Sequence, residues 1–248
     1  MTASTSKKEW FATWFDTHYY HVLYANRDDQ EAEFFISNLM ELLKPNPETA
    51  SILDLACGKG RHSIYMNKLG FNTMGVDLSA QSIAHARQFE NENLHFQVQD
   101  MREPLKAKFT HIFNLFTSFG YFDSIEENQK VMQAIQAMTT EKGILVIDYL
   151  NAHKTVKNLV QSESKTINNI RFDIERNADD NHVYKYIHVT DADFSESYME
   201  RVQLLKFSDF ETLLNQIGFK VTHCFGDFHL NPFDSEKSDR LILIAQKQ

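Results

Sequence analysis

The sequence predicts an α/β fold: a seven-stranded, mostly parallel sheet whose last strand is antiparallel, with an inserted antiparallel β subdomain. Three observations predict it. Between residues 51 and 149, short and almost wholly apolar runs alternate with amphipathic helical stretches, the pattern of a parallel sheet covered on both faces. The first apolar run ends in a glycine-rich turn, Ala56-Cys57-Gly58-Lys59-Gly60, that opens into a helix. From residue 163 to 205 the helical period gives way to strand-like runs divided by turn residues.

Taken in order, residues 8 to 26 read as one aromatic-rich helix with Trp10, Phe11, Trp14, Phe15, Tyr19, Tyr20, Leu23 and Tyr24. A second helix, about 29 to 44, repeats Ala32, Phe35, Ile36, Leu39, Met40 and Leu43 at the helical period, and Pro45 and Pro47 end it. The sheet then begins: strand 51–55, helix 59–69, strand 71–76, helix 80–90, strands 94–98 and 110–116, helix 124–139 and strand 143–149. Ser124-x-x-Glu127 is a capping box for the helix it opens. In the insertion, runs around 170–174, 183–189 and 198–204 alternate in polarity, with the turn cluster Asn177-Ala178-Asp179-Asp180-Asn181 between the first two. Helix 208–217 and strands 219–225 and 240–246 return to the main sheet. Four units result: an N-terminal helical cap (1–48), a ligand-binding core (49–162), an antiparallel β insertion acting as lid or dimer element (163–205) and the C-terminal part of the core (206–248).

Composition narrows the function. Hydrophobic residues make up 42% of the chain, enough for a sizeable core, yet no stretch approaches the length of a membrane span. Lys7 and Lys8 are not followed by the apolar segment of a signal peptide. Two cysteines, Cys57 and Cys224, form neither a disulfide framework nor a zinc cluster, so the expectation is a cytoplasmic protein with no metal site. A formal net charge of −9 opposes a phosphate backbone, so no nucleic-acid partner is expected and a small-molecule substrate is.

The chemistry is carried by three strand ends. After strand 51–55, Gly58 and Gly60 let a ligand approach the backbone, and the following helix presents free N–H groups suited to an anion. Asp77 ends the second strand in Gly75-Val76-Asp77-Leu78-Ser79, where a carboxylate can accept from both hydroxyls of a ribose. Asp100 follows the third strand in Gln99-Asp100-Met101-Arg102, where it can accept from an adenine amino group while the Met101 N–H donates to the ring. The third position of the dinucleotide fingerprint is Ser63, small but neither glycine nor alanine, and no Gly-Lys-Ser/Thr phosphate loop follows. A carboxylate-bearing nucleotide fits better than a pyrophosphate.

Asp54-Leu55-Ala56-Cys57-Gly58-x-Gly60, Val76-Asp77-Leu78-Ser79 and Asp100-Met101-Arg102 together resemble the class I S-adenosylmethionine-dependent methyltransferases, over about residues 50 to 150 and the closing helix and strands. The resemblance implies a Rossmann-like core, S-adenosylmethionine as cofactor and S-adenosylhomocysteine as product. It assigns cofactor contacts to Asp54, Ala56, Gly58, Gly60, Asp77, Leu78, Asp100 and Met101, and to Leu115 at the fourth strand end. A narrower similarity, to amino-sugar N-methyltransferases, rests on Phe15-Asp16, Leu23-Tyr24-x-x-Arg27, Leu115-Phe116-Thr117-Ser118-Phe119-Gly120-Tyr121 and the β insertion. It implies that Tyr24 reaches the cofactor pocket. Tyr121 stands where some members carry a histidine, and is the candidate catalytic contact.

Other candidates have plainer readings. His62 is expected on the surface of the helix after the glycine turn, His229 in a solvated loop, and Arg240 in a surface ion pair rather than against an acidic substrate group. Tyr19 and Tyr20 are expected to pack, Cys57 to be a small core residue, and Asn231-Pro232-Phe233 to be loop. The leading function is methyl transfer to a small molecule, for instance an amine. A protein or RNA methylase, an O-methyltransferase, an inactive S-adenosylmethionine-binding sensor or partner subunit, and a nucleotide-dependent oxidoreductase stay open, as does a homodimer.

Overall fold

The computed structural model describes residues 9–25 and 29–248. In place of one N-terminal helix there are two short ones, α1 (Trp10–Trp14) and α2 (His18–Leu23). The break is made by Thr17, whose hydroxyl accepts the Tyr20 N–H at 3.1 Å and so starts a new helix. Helix α3 (Asp29–Leu43) buries Phe35, Ile36 and Leu39 completely, as the period predicts.

The core alternates β1 (Ser51–Leu55), α4 (Arg61–Lys68), β2 (Asn72–Asp77), α5 (Ala80–Ala86), β3 (Leu94–Val98), β4 (Phe109–Asn114), α6 (Ile125–Met138) and β5 (Thr139–Leu150). A helix not foreseen, α7 (Ala152–Lys157), leads into the insertion β6 (Ser162–Ile167), β7 (Ile170–Ala178), β8 (His182–Asp191) and β9 (Phe194–Gln203). Helix α8 (Phe207–Gln216) and strands β10 (Phe219–Phe225) and β11 (Arg240–Lys247) complete the sheet. Strand β4 ends two residues early because Phe116 and Thr117 turn into left-handed backbone, and β5 starts early, straight out of α6.

The main sheet has the order β10-β11-β5-β4-β1-β2-β3, and β11 runs antiparallel to both neighbours while the other strands are mutually parallel. Alternation along each strand sorts the two faces. Leu53, Leu55, Leu145 and Ile147 meet α6 and α8, while Ile52, Phe113 and Val146 meet α3 and Met66 of α4. Asp54 shares the parity of Ile52, so its carboxylate lies under α4.

The insertion is a separate four-stranded antiparallel sheet in the order β6-β7-β8-β9. It cannot bury its apolar face alone. Phe172, Ile174, Ile187 and Val189 are covered by Trp14, Val22 and Leu23 of the N-terminal helices. Those helices also reach the carboxyl ends of the core strands.

Candidate active site

The glycine turn is held by its backbone. Ala56, Gly58 and Gly60 all have left-handed φ, at 64°, 57° and 84°. The Cys57 N–H donates to the Val76 carbonyl at 2.9 Å and the Gly58 N–H to Asp77 Oδ2 at 2.8 Å, which ties the ends of β1 and β2 together. A side chain on Gly58 would meet nothing within 4 Å, whereas one on Gly60 would sit 2.7 Å from the Phe96 ring. Gly60 is set back from the cavity described below. Its backbone shape and its packing on β3 account for the glycine.

The carboxylates differ in setting. Asp54 is 1% exposed, its Oδ2 accepts from Ser63 Oγ at 2.6 Å, and burial raises its pKa to about 6. Ser63 thus has a partner of its own in the strand. Burial also raises the pKa of Asp77, against the N–H donors of Ser79 and Gly58. Asp100 goes the other way: although burial opposes its charge, bonds from the Arg102 guanidinium and N–H hold it below the usual carboxylate range. Both Asp100 oxygens are therefore already engaged by Arg102, a partner the expectation for Asp100 left out. Arg102 also binds both oxygens of Glu9, at 2.9 and 2.8 Å, and Glu127 at 2.7 Å.

These strand ends open on a cavity of about 550 Å³, within the range of small-molecule sites. Asp54, Ala56, Gly58, Asp77, Leu78, Asp100, Met101, Leu115, Tyr24 and Tyr121 all line it. Opposite the strand ends, α1, α2 and the turn between them supply Phe11, Phe15, Tyr20 and His21. Tyr121 meets Phe15 and Trp10 edge to face, with ring centres 5.3 and 5.4 Å away. Tyr24 stands in the wall, but its hydroxyl donates to Glu200 at 2.7 and 2.8 Å and accepts from Lys185 Nζ at 2.5 Å. No residue of the insertion is among those lining the cavity, and its sheet packs against the N-terminal helices that are.

Several side chains sit elsewhere than expected. His62 is 5% exposed and lines the cavity, tilted against Phe116, instead of lying on the surface. Its spacing of four from buried Met66 was the available signal. Tyr20 lines the cavity, while Tyr19 packs on Phe194. Arg240 does form an ion pair, but with a fully buried partner: its Nε reaches Asp148 Oδ1 at 2.7 Å and its second arm reaches Thr117 Oγ1 at 2.9 Å. Asp148 in turn accepts from the Phe116 N–H at 2.8 Å, so this pair holds the two consecutive left-handed residues in place, each of which costs about 1–3 kcal/mol. His229 is exposed, away from the cavity. Cys57 is buried and burial drives its thiol pKa up, so it packs rather than reacts. His21, which the sequence did not single out, lines the cavity, and Asp16 of the Phe15-Asp16 pair hydrogen-bonds Ser79, which also lines it. Burial, with Lys59 nearby, lowers the His21 pKa to about 4. Arg27 lies outside the described residues.

A family model of the methyltransferase domain matches residues 47–191. The chain belongs to the class I S-adenosylmethionine-dependent methyltransferases. It is 25% identical over 224 residues to a dTDP-3-amino-3,4,6-trideoxy-alpha-D-glucopyranose N,N-dimethyltransferase of Streptomyces venezuelae, covering 84% of this chain and 91% of that enzyme. It is 24% identical over 234 residues to a glycine/sarcosine N-methyltransferase of Aphanothece halophytica, covering 89% and 83%. A solved structure of an S-adenosylmethionine-dependent methyltransferase from Clostridium acetobutylicum shares the fold, with a TM-score of 0.76 at 20% identity over 92% of this chain and 96% of that one. S-adenosylmethionine is thus the cofactor of this methyltransferase. Its helices include none long and apolar enough to cross a membrane among the described residues.

Proposed function

We propose that this methyltransferase transfers the methyl group to the nitrogen of a small amine, with the cofactor laid along the three strand ends. The observation that carries the reading is the aromatic wall facing them. In α1 and the segment 115–122, the cavity-lining residues are Phe11, Ala12, Leu115, Phe116, Ser118, Tyr121 and Phe122, with Tyr121 the one ionisable group among them. The two relatives named above both act, by their names, on nitrogen.

The residues present fit the cofactor by the chemistry of their donor set. Gly58 and Ala56 offer a backbone turn with no side chain in the way, suited to an amino-acid end. Asp77 supplies a carboxylate for a ribose diol, and the Met101 N–H suits an adenine edge, beside an Asp100 whose oxygens Arg102 already engages. Leu78 and Leu115 give the apolar contact, and Tyr24 and Tyr121 the aromatic one. Bound there, S-adenosylmethionine supplies a methyl group on a positively charged sulfonium, a leaving group that needs no protonation. Phe11, Phe15 and Tyr121 then exclude water and favour cationic groups through their ring faces. A neutral amine aligned by that wall needs positioning more than a strong base, and Tyr121 is the ionisable side chain the wall itself presents.

The test begins with calorimetry of S-adenosylhomocysteine on the wild type, Asp77→Ala and Gly58→Val. Micromolar binding by the wild type, weakened at least tenfold in both variants, is the expected result. Radiolabelled methyl transfer is then screened over glycine, sarcosine, amino sugars and, as oxygen acceptors, catechols. Turnover confined to the amines supports the reading. Turnover confined to catechols, or cofactor binding with no transfer to any acceptor, overturns it in favour of an O-methyltransferase or an inactive binder.

A further inference from the structure

The turn between α1 and α2 crosses to the neighbourhood of Asp77. Asp16 Oδ1 accepts from Ser79 Oγ at 2.7 Å and from the Gln81 N–H at 3.0 Å. Ser79 is the N-cap of α5, accepting the Ser82 N–H at 3.1 Å, and its own N–H donates to Asp77 Oδ1 at 2.8 Å. The other oxygen of Asp77 takes the Gly58 N–H. One hydrogen-bonded chain therefore runs from the N-terminal helices, through the first turn of α5, to Asp77 and the glycine turn. Gln81 N–H is an orphan donor of α5 that a remote segment satisfies.

A second tie lies on the adenine side, where Glu9 binds Arg102 and Arg102 binds Asp100. Both ties join the segment that supplies Phe11, Phe15, Tyr20 and His21 to residues that follow the strand-end acids. Asp16 also lies close enough to Asp77 that, after burial, its charge helps to raise the Asp77 pKa. A ligand hydroxyl donating to Asp77 fixes the carboxylate at the inner end of the hydrogen-bonded chain whose outer end is the Asp16 acceptor. Ligand and latch then strengthen each other, because coupling between two sites is reciprocal.

We propose that Asp16 is a positioning residue that couples closure of the α1–α2 cap to occupation of the cofactor cavity, an inference that rests on the cofactor placement above. The bonds to Ser79 and Gln81 both use one oxygen of Asp16, so Asp16→Asn keeps the acceptor and Asp16→Ala removes it.

The experiment measures S-adenosylhomocysteine binding by calorimetry and amide exchange of residues 10–23 with and without that ligand, in the wild type and both variants. Apo melting curves check that each variant is folded. In the wild type the ligand slows exchange across the cap. In Asp16→Ala the affinity falls about three- to thirtyfold, the range for removal of a capping acceptor, and the slowing is lost. Asp16→Asn stays close to the wild type in both readouts. A wild type that does not bind S-adenosylhomocysteine overturns the cofactor placement and the coupling with it. A wild type that binds, paired with an Asp16→Ala that binds equally well, keeps the ligand-induced slowing, or matches Asp16→Asn in its loss, overturns the coupling alone.

Discussion

Gly58 and Gly60 look alike in the sequence and do different work. Both need left-handed backbone, which costs another residue about 1–2 kcal/mol. Gly60 must also leave room for Phe96, whose ring a Cβ would approach to 2.7 Å, and for Ala86 at 3.2 Å. Gly60→Ala is therefore expected to cost about 2–5 kcal/mol in urea unfolding, adding overpacking to the backbone cost. Gly58→Ala meets no neighbour, so it should cost only the backbone share while perturbing the cavity wall. Equal losses of stability in the two variants would refute this division. Arg240 teaches a related lesson. Its position at the start of the last strand is readable, but nothing local says that Asp148 lies beside it, 92 positions away in the chain.

At the level of elements, the N-terminal helices and the insertion stabilise each other. Apolar contact does most of it, through Trp14, Val22 and Leu23 against the inner face of β7 and β8. A polar cluster pins the register: Glu200 accepts from Trp14 Nε1 at 2.7 Å and from the Tyr24 hydroxyl, with Lys185 Nζ 3.8 Å away. Burial lowers the Lys185 pKa, which Glu200 counters. Both charges are partly buried, and removing one strands the other. Glu200→Ala should lose about 3–5 kcal/mol, and the double variant Glu200→Ala with Lys185→Met should lose less than Glu200→Ala alone. Chemical unfolding of the four proteins of that cycle measures it, and a double variant whose loss equals the sum of the two single losses would show the charges to be independent of each other. The far end of the insertion is fixed as well: the Gln203 carbonyl accepts from the Tyr149 hydroxyl at 2.6 Å and the Gln203 N–H donates to the Gly120 carbonyl at 2.9 Å. A side chain on Gly120 would strike that tyrosine hydroxyl. The segment that places Tyr121 is thus braced by the insertion without the insertion entering the cavity.

For the molecule as a whole, a buried carboxylate and a half-buried imidazole at the cavity set opposing slopes of stability with pH. Asp54 has its folded pKa raised from 3.8 to about 6. The folded state then holds more protons than the unfolded one between those values, so this stabilisation is present at low pH and lost as pH rises through about 6. His21 has its folded pKa lowered from 6.5 to about 4, so the unfolded state holds more protons, and stability is lost as pH falls from 6.5 towards 4. Between about pH 4 and 6 the two largely cancel. Asp54→Asn, which keeps an acceptor for Ser63, should raise the apo melting temperature at pH 7 and leave a curve that climbs through this window. His21→Gln should leave one that falls through it. Melting curves from pH 4 to 8 decide it, and parallel curves for the three proteins would mean that neither group titrates as its burial implies.

What the amino-acid sequence determined by itself is what local periodicity and chain order encode. Alternation of apolar runs with helical stretches, a glycine turn after the first strand, and acids closing the next two strands place Asp54, Asp77 and Asp100 on one rim, because parallel strands all end on the same side. The mostly parallel sheet with one antiparallel strand and the separate antiparallel sheet were readable for the same reason. What the tertiary structure alone decided are contacts between segments remote in sequence. Asp16 meets Ser79 across 63 positions and Trp14 meets Glu200 across 186. It also decided which aromatic residues face the cavity, since Tyr19 and Tyr20 are neighbours in one helix and only packing turns one inward. The break at Thr17 belongs here too, because a run of aromatic residues reads as one helix until its capping hydroxyl and the reach of Asp16 to α5 are seen together. Local propensity acts over a few residues, whereas these choices depend on which surfaces the finished fold brings within hydrogen-bonding distance.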